Sequence, residues 1–439
     1  MSDVALEPTK AELLVEARLG RRPQDMLEAA VVLEAWAGLP AQAALAAARR
    51  MMPAVPREAQ VSVGQLPART SRDGVLLEGS ALIVTVIAIA CWAAPLTSSI
   101  GVGAVERALM LALPLTLALQ WALRARYLDR SDGLAQLAGR APELALGASV
   151  VVGVPALALG VAGAVAGLLT VTWTGGTILI RRRWPAVYGA LVLLATPAMI
   201  LDLPALAVLG TTAVLTVVGV ALALRGWTAP EDRSPGHWQR ALTAGLIGAG
   251  LGLMLVLDGT VSWTDGAVPA LALLPSTVGA FWGGYHLRHL ERAIPGALSG
   301  ASAREPERRR LAWPPLRVLL GAGGRLLVLC GALSAALLAS TPWLGTSARS
   351  TGILAGFALL ALATLLVSLL ESMGRGRWSV IAVACAAATT LGLRLSHADP
   401  FPGAGMVAGG ALAIVLVLPA VVAMLSRPAS TLATALWIR

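Results

Sequence analysis

Apolar runs long enough to make helices that cross a membrane fill this chain from residue 80 to residue 425, with short arginine-bearing loops between them. Few folds tolerate that pattern. A helix needs about 20 apolar residues to cross a hydrocarbon core about 30 Å thick. In lipid, each backbone N–H and C=O must also be satisfied within the structure, which a helix does alone. The runs predict twelve spans: 80–99, 106–123, 144–161, 163–180, 185–202, 205–224, 241–258, 267–285, 320–340, 351–370, 379–395 and 405–425. Only 13% of the 439 residues are charged and 57% are hydrophobic, whereas soluble domains carry about 25% charged residues. The chain is also too apolar for disorder. The expected fold class is all-α: a polytopic membrane protein with twelve transmembrane helices in two six-helix pseudo-symmetric lobes, plus a small helical N-terminal cytoplasmic segment.

Charge tests the count. The formal net charge is +10, and Lys10 is the single lysine. That arginine bias fits a GC-rich bacterium. If residues 1–79 are cytoplasmic, thirty basic residues fall on that side and three on the other (Arg107, Arg349 and Arg394), leaving Arg325 aside. Arginine is retained on the cytoplasmic side, and an error in the span count would scramble this parity. The expected location is therefore the bacterial cytoplasmic membrane, multi-pass, with both termini cytoplasmic. The arginines are spread between spans, where nucleic-acid binding would cluster them on one soluble face, so no nucleic-acid partner is expected. The first 30 residues hold no apolar signal-peptide core. Cys91, Cys330 and Cys385 lie far apart in apolar runs, without metal-ligand spacing. No metal and no cofactor are expected, and no GxxxxGK[ST] phosphate loop occurs.

Residues 1–52 predict a cytoplasmic helical cap of three short helices, after Pro8 (with Leu13, Leu14, Ala17 and Leu19 apolar), from Gln24 to Trp36, and from Pro40 to Met52. It reads either as a docking site for a cytoplasmic partner or as a helical appendage. Residues 53–78, with Pro53, Pro56, Gly64 and Pro67, read as a linker. Beyond them lie an N-lobe of spans 1–6 (79–225), an inter-lobe loop (226–240), a C-lobe of spans 7–12 (241–425) and a cytoplasmic tail (426–439). Spans three and four are parted only by Gly160 and Gly163, which predicts a tight glycine turn.

The two halves look duplicated. Each has a long inner loop after its second span, 124–143 and 286–319, and a basic turn after its fourth. In those turns Arg181-Arg182-Arg183-Trp184 matches Arg375-Gly376-Arg377-Trp378. Parallel repeats of six spans are a recurring transporter design, in which two bundles rock about a central site. The inner turn LLESMGRGRW, the loop ERAIPGALSGASAREPERRR and the span GAGGRLLVLCGAL together resemble the multidrug/oligosaccharidyl-lipid/polysaccharide exporter superfamily over residues 79–425. The likeness is to its polysaccharide and lipid-linked oligosaccharide flippases, including Pel-type exporters. Gly374, Arg375 and Arg377 carry it most sharply; the asparagine frequent in that family's eleventh span is absent from AAATTLGL, 386–393. The resemblance implies a non-enzymatic transporter of the cell envelope that exports an amphipathic glycan or glycolipid through a central cavity, with the glycan and membrane lipids as its partners.

Individual residues suggest where cargo would bind. Arg325 sits eight residues beyond Arg317, about 12 Å along a helix. It is either a deep guanidinium facing a phosphate or carboxylate or an interfacial residue before a span that begins at Leu326. Gln120, Trp92 and Trp173 are further candidates for substrate binding. Gly248, Gly252 and Pro275 are candidates for gating. Glu371 is expected to pair with Arg375 at i,i+4. Asp202, Asp258 and Asp265 read as outer-end acids, and His286 and His289 as interfacial. Two other functions stay open: an integral-membrane glycosyltransferase or lipid-modifying enzyme, and a membrane anchor whose cap recruits a cytoplasmic assembly.

Overall fold

The computed structural model describes residues 8–19, 23, 26–51, 72–128, 133–182, 184–201, 203–225, 238–259, 277, 308–339, 350–372, 375–396 and 401–425. All regular elements among these residues are helical. The chain divides into two units. One comprises Met1–Thr70, Arg288–Leu319 and Ala420–Arg439; the other comprises Ser71–Leu287 and Leu320–Pro419.

In the first unit, helices α1 (Pro8–Leu19), α2 (Met26–Ala37) and α3 (Ala41–Met51) pack together. Their core is alanine-rich: Ala11, Val15, Ala29, Val32, Leu33, Ala44, Ala47 and Ala48. Small side chains let three short helices approach closely. The apolar face expected on α1 is rotated, because Ala11 and Val15 are buried while Leu13 is 67% exposed. Leu14, half-buried, packs against the same core.

The second unit holds the apolar helices. They are α4 (Arg72–Ile100), α5 (Val102–Leu123), α7 (Ala141–Leu159), α8 (Val161–Arg181), α9 (Pro185–Ile200), α10 (Ala205–Leu224), α11 (Trp238–Gly259), α12 (Arg308–Ala339), α13 (Ser350–Ser372), α14 (Gly376–Leu395) and α15 (Ala404–Leu425), with a short α6 (Gly133–Ala138) between α5 and α7. The first part of α12 and the end of α15 extend into the first unit's ranges. Among the described residues, eight helices are long and apolar enough to cross a membrane, and Pro185–Met199 and Gly323–Ala339 are shorter apolar segments. The chain is thus an all-helical, multi-pass membrane protein. Eleven expected spans coincide with described helices. The eighth, 267–285, lies outside the described residues, as do Pro275, Asp202, Asp265, His286 and His289.

Three boundaries differ from expectation. Helix α4 starts at Arg72, inside the expected linker, and α11 starts at Trp238, inside the expected inter-lobe loop. Helix α12 starts at Arg308, inside the expected long inner loop. The reason is the same in each case. A helix does not stop where hydropathy falls, since arginine is a good helix former and its long stem lies along apolar surface with its charge in water.

Gly160 makes the predicted hairpin turn between α7 and α8, with φ 60 and ψ −132. No β-carbon sits comfortably there. Below the turn, a β-carbon on Gly163 would overlap the carbonyl of Pro155, and Gly167 faces Val151 and Val152. Small residues four apart let the two helices touch along their backbones.

The matched basic turns are built alike but not in the matched register. Trp184 precedes α9 with φ −111 and ψ 39, and its N–H donates to Leu179 O at 2.9 Å. Its structural counterpart is Arg375, which precedes α14 with φ −98 and ψ 31 and donates to Leu370 O at 3.0 Å. Trp378 lies three residues further on, inside α14, and its indole donates to Leu416 O of α15 at 3.1 Å. The four-letter match is therefore offset by three residues from the shared backbone geometry.

Candidate functional site

Helix α5 is the hub of the described bundle, packed against α8 on one side and α11 on the other. Two of the expected binding residues meet on the α8 side. Gln120 Nε2 donates to the carbonyl of Trp173 at 3.1 Å, and that carbonyl also accepts from Thr177 Oγ1 at 3.2 Å. One turn earlier on the same face of α5, Thr116 is buried. Its hydroxyl has no hydrogen-bond partner among the described residues. Most other threonines in the core satisfy themselves by donating to the carbonyl four residues back, as Thr170, Thr212 and Thr216 do. The α5–α8 contact therefore carries a polar strip whose hydrogen-bonding capacity is only partly used.

The other expected residues stand apart. Trp92 is 1% exposed, lies in the core of the first six spans, and donates its indole N–H to Thr196 Oγ1 at 3.1 Å. Trp173 shares that core, and its contribution to the strip is its backbone carbonyl. Arg325 is exposed on α12, two residues into the apolar segment Gly323–Ala339.

Gly248 and Gly252 lie in the α11 contact with α5. A β-carbon on Gly248 would overlap the carbonyl of Leu117, and one on Gly252 would stand 2.6 Å from Pro114 Cα. With Gly245 against Ala118 and Ala122, they form a seam on one face of an unbroken α11. Gly250 points the other way, toward Val383 of α14. Both glycines let α11 approach the α5 backbone closely.

At the end of this seam lies a cluster of charges. After α5 the backbone widens into a π-helical turn, Arg124–Leu128, a feature that often marks functional positions. Arg124 Nη2 donates to Glu371 Oε2 at 3.1 Å. Arg240 Nε, in the first turn of α11, lies 3.7 Å from Glu371 Oε1. The Glu371 side chain is 5% exposed, and its Oε1 accepts no hydrogen bond among the described residues. The guanidinium of Arg124 stacks over Trp121 at 4.4 Å. Arg126, buried, stacks over the Trp238 ring at 3.5 Å and near Tyr127 at 5.1 Å.

Glu371 thus pairs with Arg124 and Arg240, and not with Arg375. The i,i+4 rule assumes one continuous helix. Here α13 ends at Ser372 and Arg375 caps the next helix, so its side chain no longer stands above Glu371. A single acid flanked by the ends of arginine-bearing spans was the available signal for this cluster. Which arginines it would meet depends on tertiary packing.

No protein-family model matches the chain, and neither does any curated protein. Two solved structures are similar to it in layout. One is an outward-facing conformation of a multidrug resistance MATE family transporter of the MOP superfamily, 15% identical, with a TM-score of 0.47 over 80% of this chain and 98% of the other. The second is an inward-facing conformation of a multidrug resistance MATE family transporter of the MOP superfamily, 14% identical, with a TM-score of 0.38 over 80% of this chain and 94% of the other.

Proposed function

We propose that this chain is a membrane transporter that moves a polysaccharide or lipid-linked oligosaccharide across the bacterial cytoplasmic membrane by alternating access of two six-helix lobes, 79–225 and 241–425. The carrying observation is the polar strip on α5, with Gln120 bonded to the Trp173 carbonyl and the buried Thr116 hydroxyl unsatisfied. Polar groups inside a membrane-spanning bundle are costly, and those that persist face the interior or an aqueous path. Hydroxyls and amides also suit a glycan, whose own hydroxyls need partners while its headgroup is out of water. The helix that carries the strip also forms the seam with α11, so movement at the seam would move the strip. In this reading Arg325 meets an anionic headgroup at the mouth of the path, where its forked donors suit phosphate or carboxylate.

Purified protein in liposomes, loaded with a fluorescent lipid-linked oligosaccharide, tests the proposal. A lectin that cannot cross the bilayer would reach the inner-leaflet pool faster with protein than without it. Equal rates for protein-containing and empty vesicles overturn the transport reading. Arg325→Ala should lower the rate about ten-fold, as loss of a charge-assisted contact does, with partial recovery in Arg325→Lys. Equal rates for both variants and the parent at equal abundance remove Arg325 from the path.

A further inference from the structure

We propose that Arg124, Arg240 and Glu371 form an ionic latch that holds α5 against α11 on the arginine-rich side and lets go when the protein opens to that side. This inference rests on the transport reading.

The placement of Glu371 is the first argument. It sits in the last turn of α13, next to the negative end of that helix's dipole. It is also nearly buried, where a carboxylate without a cation is strongly disfavoured. Its own helix gives it no reason to be there. Both cations come from other helices: Arg124 from the end of α5, within the first six spans, and Arg240 from the start of α11, within the second six. One carboxylate therefore ties the expected halves together.

The geometry is also that of a contact made to be broken. One side is a hydrogen bond of 3.1 Å, while the other is an approach of 3.7 Å without a hydrogen bond. Beneath the latch, the seam consists of Gly245, Gly248 and Gly252 against Ala118, Ala122 and the backbone of α5. No long side chains interdigitate at these positions, so the helices can part without unthreading. Lipid tails solvate apolar surface as well as leucine does, so little hydrophobic force holds such a seam shut. Close packing of the small residues holds the seam along its length, and the charges, with the Arg126–Trp238 stack beside them, close its end.

The structure supplies its own reporter. A β-carbon on Gly245 would stand 3.6 Å from Ala122 Cβ, within the range that a disulfide requires. In a background carrying Cys91→Ser, Cys330→Ser and Cys385→Ser, the pair Ala122→Cys and Gly245→Cys is reconstituted in liposomes. Oxidation with copper–phenanthroline and counting of free thiols with a maleimide-tagged polymer give the cross-linking rate. An impermeant maleimide gives thiol exposure.

Adding Glu371→Gln should slow cross-linking and raise maleimide labelling, each about ten-fold, the factor expected when one charge-assisted hydrogen bond is lost. The swap Arg124→Glu with Glu371→Arg should restore both toward the parent values, which a variant that merely misfolds would not do. Unchanged cross-linking and labelling in Glu371→Gln overturn the latch. Oxidised protein should stop transporting the fluorescent oligosaccharide and recover in dithiothreitol; transport at the reduced rate while oxidised also overturns it. If the reduced protein moves no oligosaccharide, the transport reading fails, and the cross-linking and labelling results still decide the latch.

Discussion

At the scale of single residues, substitutions at Gly248 and Gly252 have predictable effects. Each faces α5 backbone, which cannot swing aside as a side chain can. Gly248→Ala should destabilise the protein by about 1–3 kcal/mol, the usual cost of overpacking, visible as a lower melting temperature in detergent. Gly153→Ala on α7 is the comparison, because a β-carbon there meets nothing within 4 Å, and it should leave the melting temperature unchanged or raised. Equal losses for the two would show that the seam is looser than described. Both glycines are visible in the sequence as small residues in a span. Their target is not, because a residue's neighbours across a helix pair depend on the rotation of the second helix. The same limit explains Glu371. Its charge and its place beside a basic turn are legible, but its true partners, Arg124 and Arg240, lie 247 and 131 positions away in sequence. Trp92 illustrates the converse. An indole deep in a span fits a cavity or a core equally well, and its contact with Thr196, 104 positions away, is not legible in the sequence.

At the scale of elements, the chain was largely readable. Run length and arginine spacing placed the helices, because lipid permits so few alternatives. Helix ends were read less well, since arginine-rich ends continue as helix beyond the hydropathy boundary, as in α4, α11 and α12. The Gly160 turn was read correctly because its φ of 60 demands a residue without a β-carbon. Gly160→Ala should therefore cost about 1–3 kcal/mol of stability and loosen the α7–α8 pair, measurable as faster protease cleavage at 160 and a lower melting temperature. A stability equal to the parent's would mean that the turn has an alternative conformation. The basic turns carry a different lesson. Their four-residue match lies three positions away from their shared backbone geometry, because tryptophan and arginine are placed by interfacial preference and not by the turn. A letter match at a membrane interface is therefore weak evidence for repeat register.

At the scale of the whole molecule, the sequence separates a small helical N-terminal segment from a large apolar one. The seam, the strip and the latch are built from residues between Leu113 and Glu371, all in the second unit. Removing residues 1–75 should leave oligosaccharide transport by the reconstituted protein within about two-fold of the parent, the scatter expected of surface changes. Complete loss at equal abundance and equal melting temperature would favour the anchor reading, in which that segment does the essential recruiting. Cargo class was less legible than architecture. Spans are fixed by the solvent they share, lipid, whereas a binding path is fixed by a handful of polar groups brought together from distant positions, here Thr116 and Gln120 with the Trp173 carbonyl.

Helix α7 has one more consequence. None of the residues in its apolar window is buried, Leu157 is 90% exposed, and its principal neighbour is α8. Lipid solvates such a surface, and a helix satisfies its own backbone there, so α7 needs no protein partner to insert. Its pairing with α8 along the glycine contact then fixes its rotation, and most of its face is left to the bilayer.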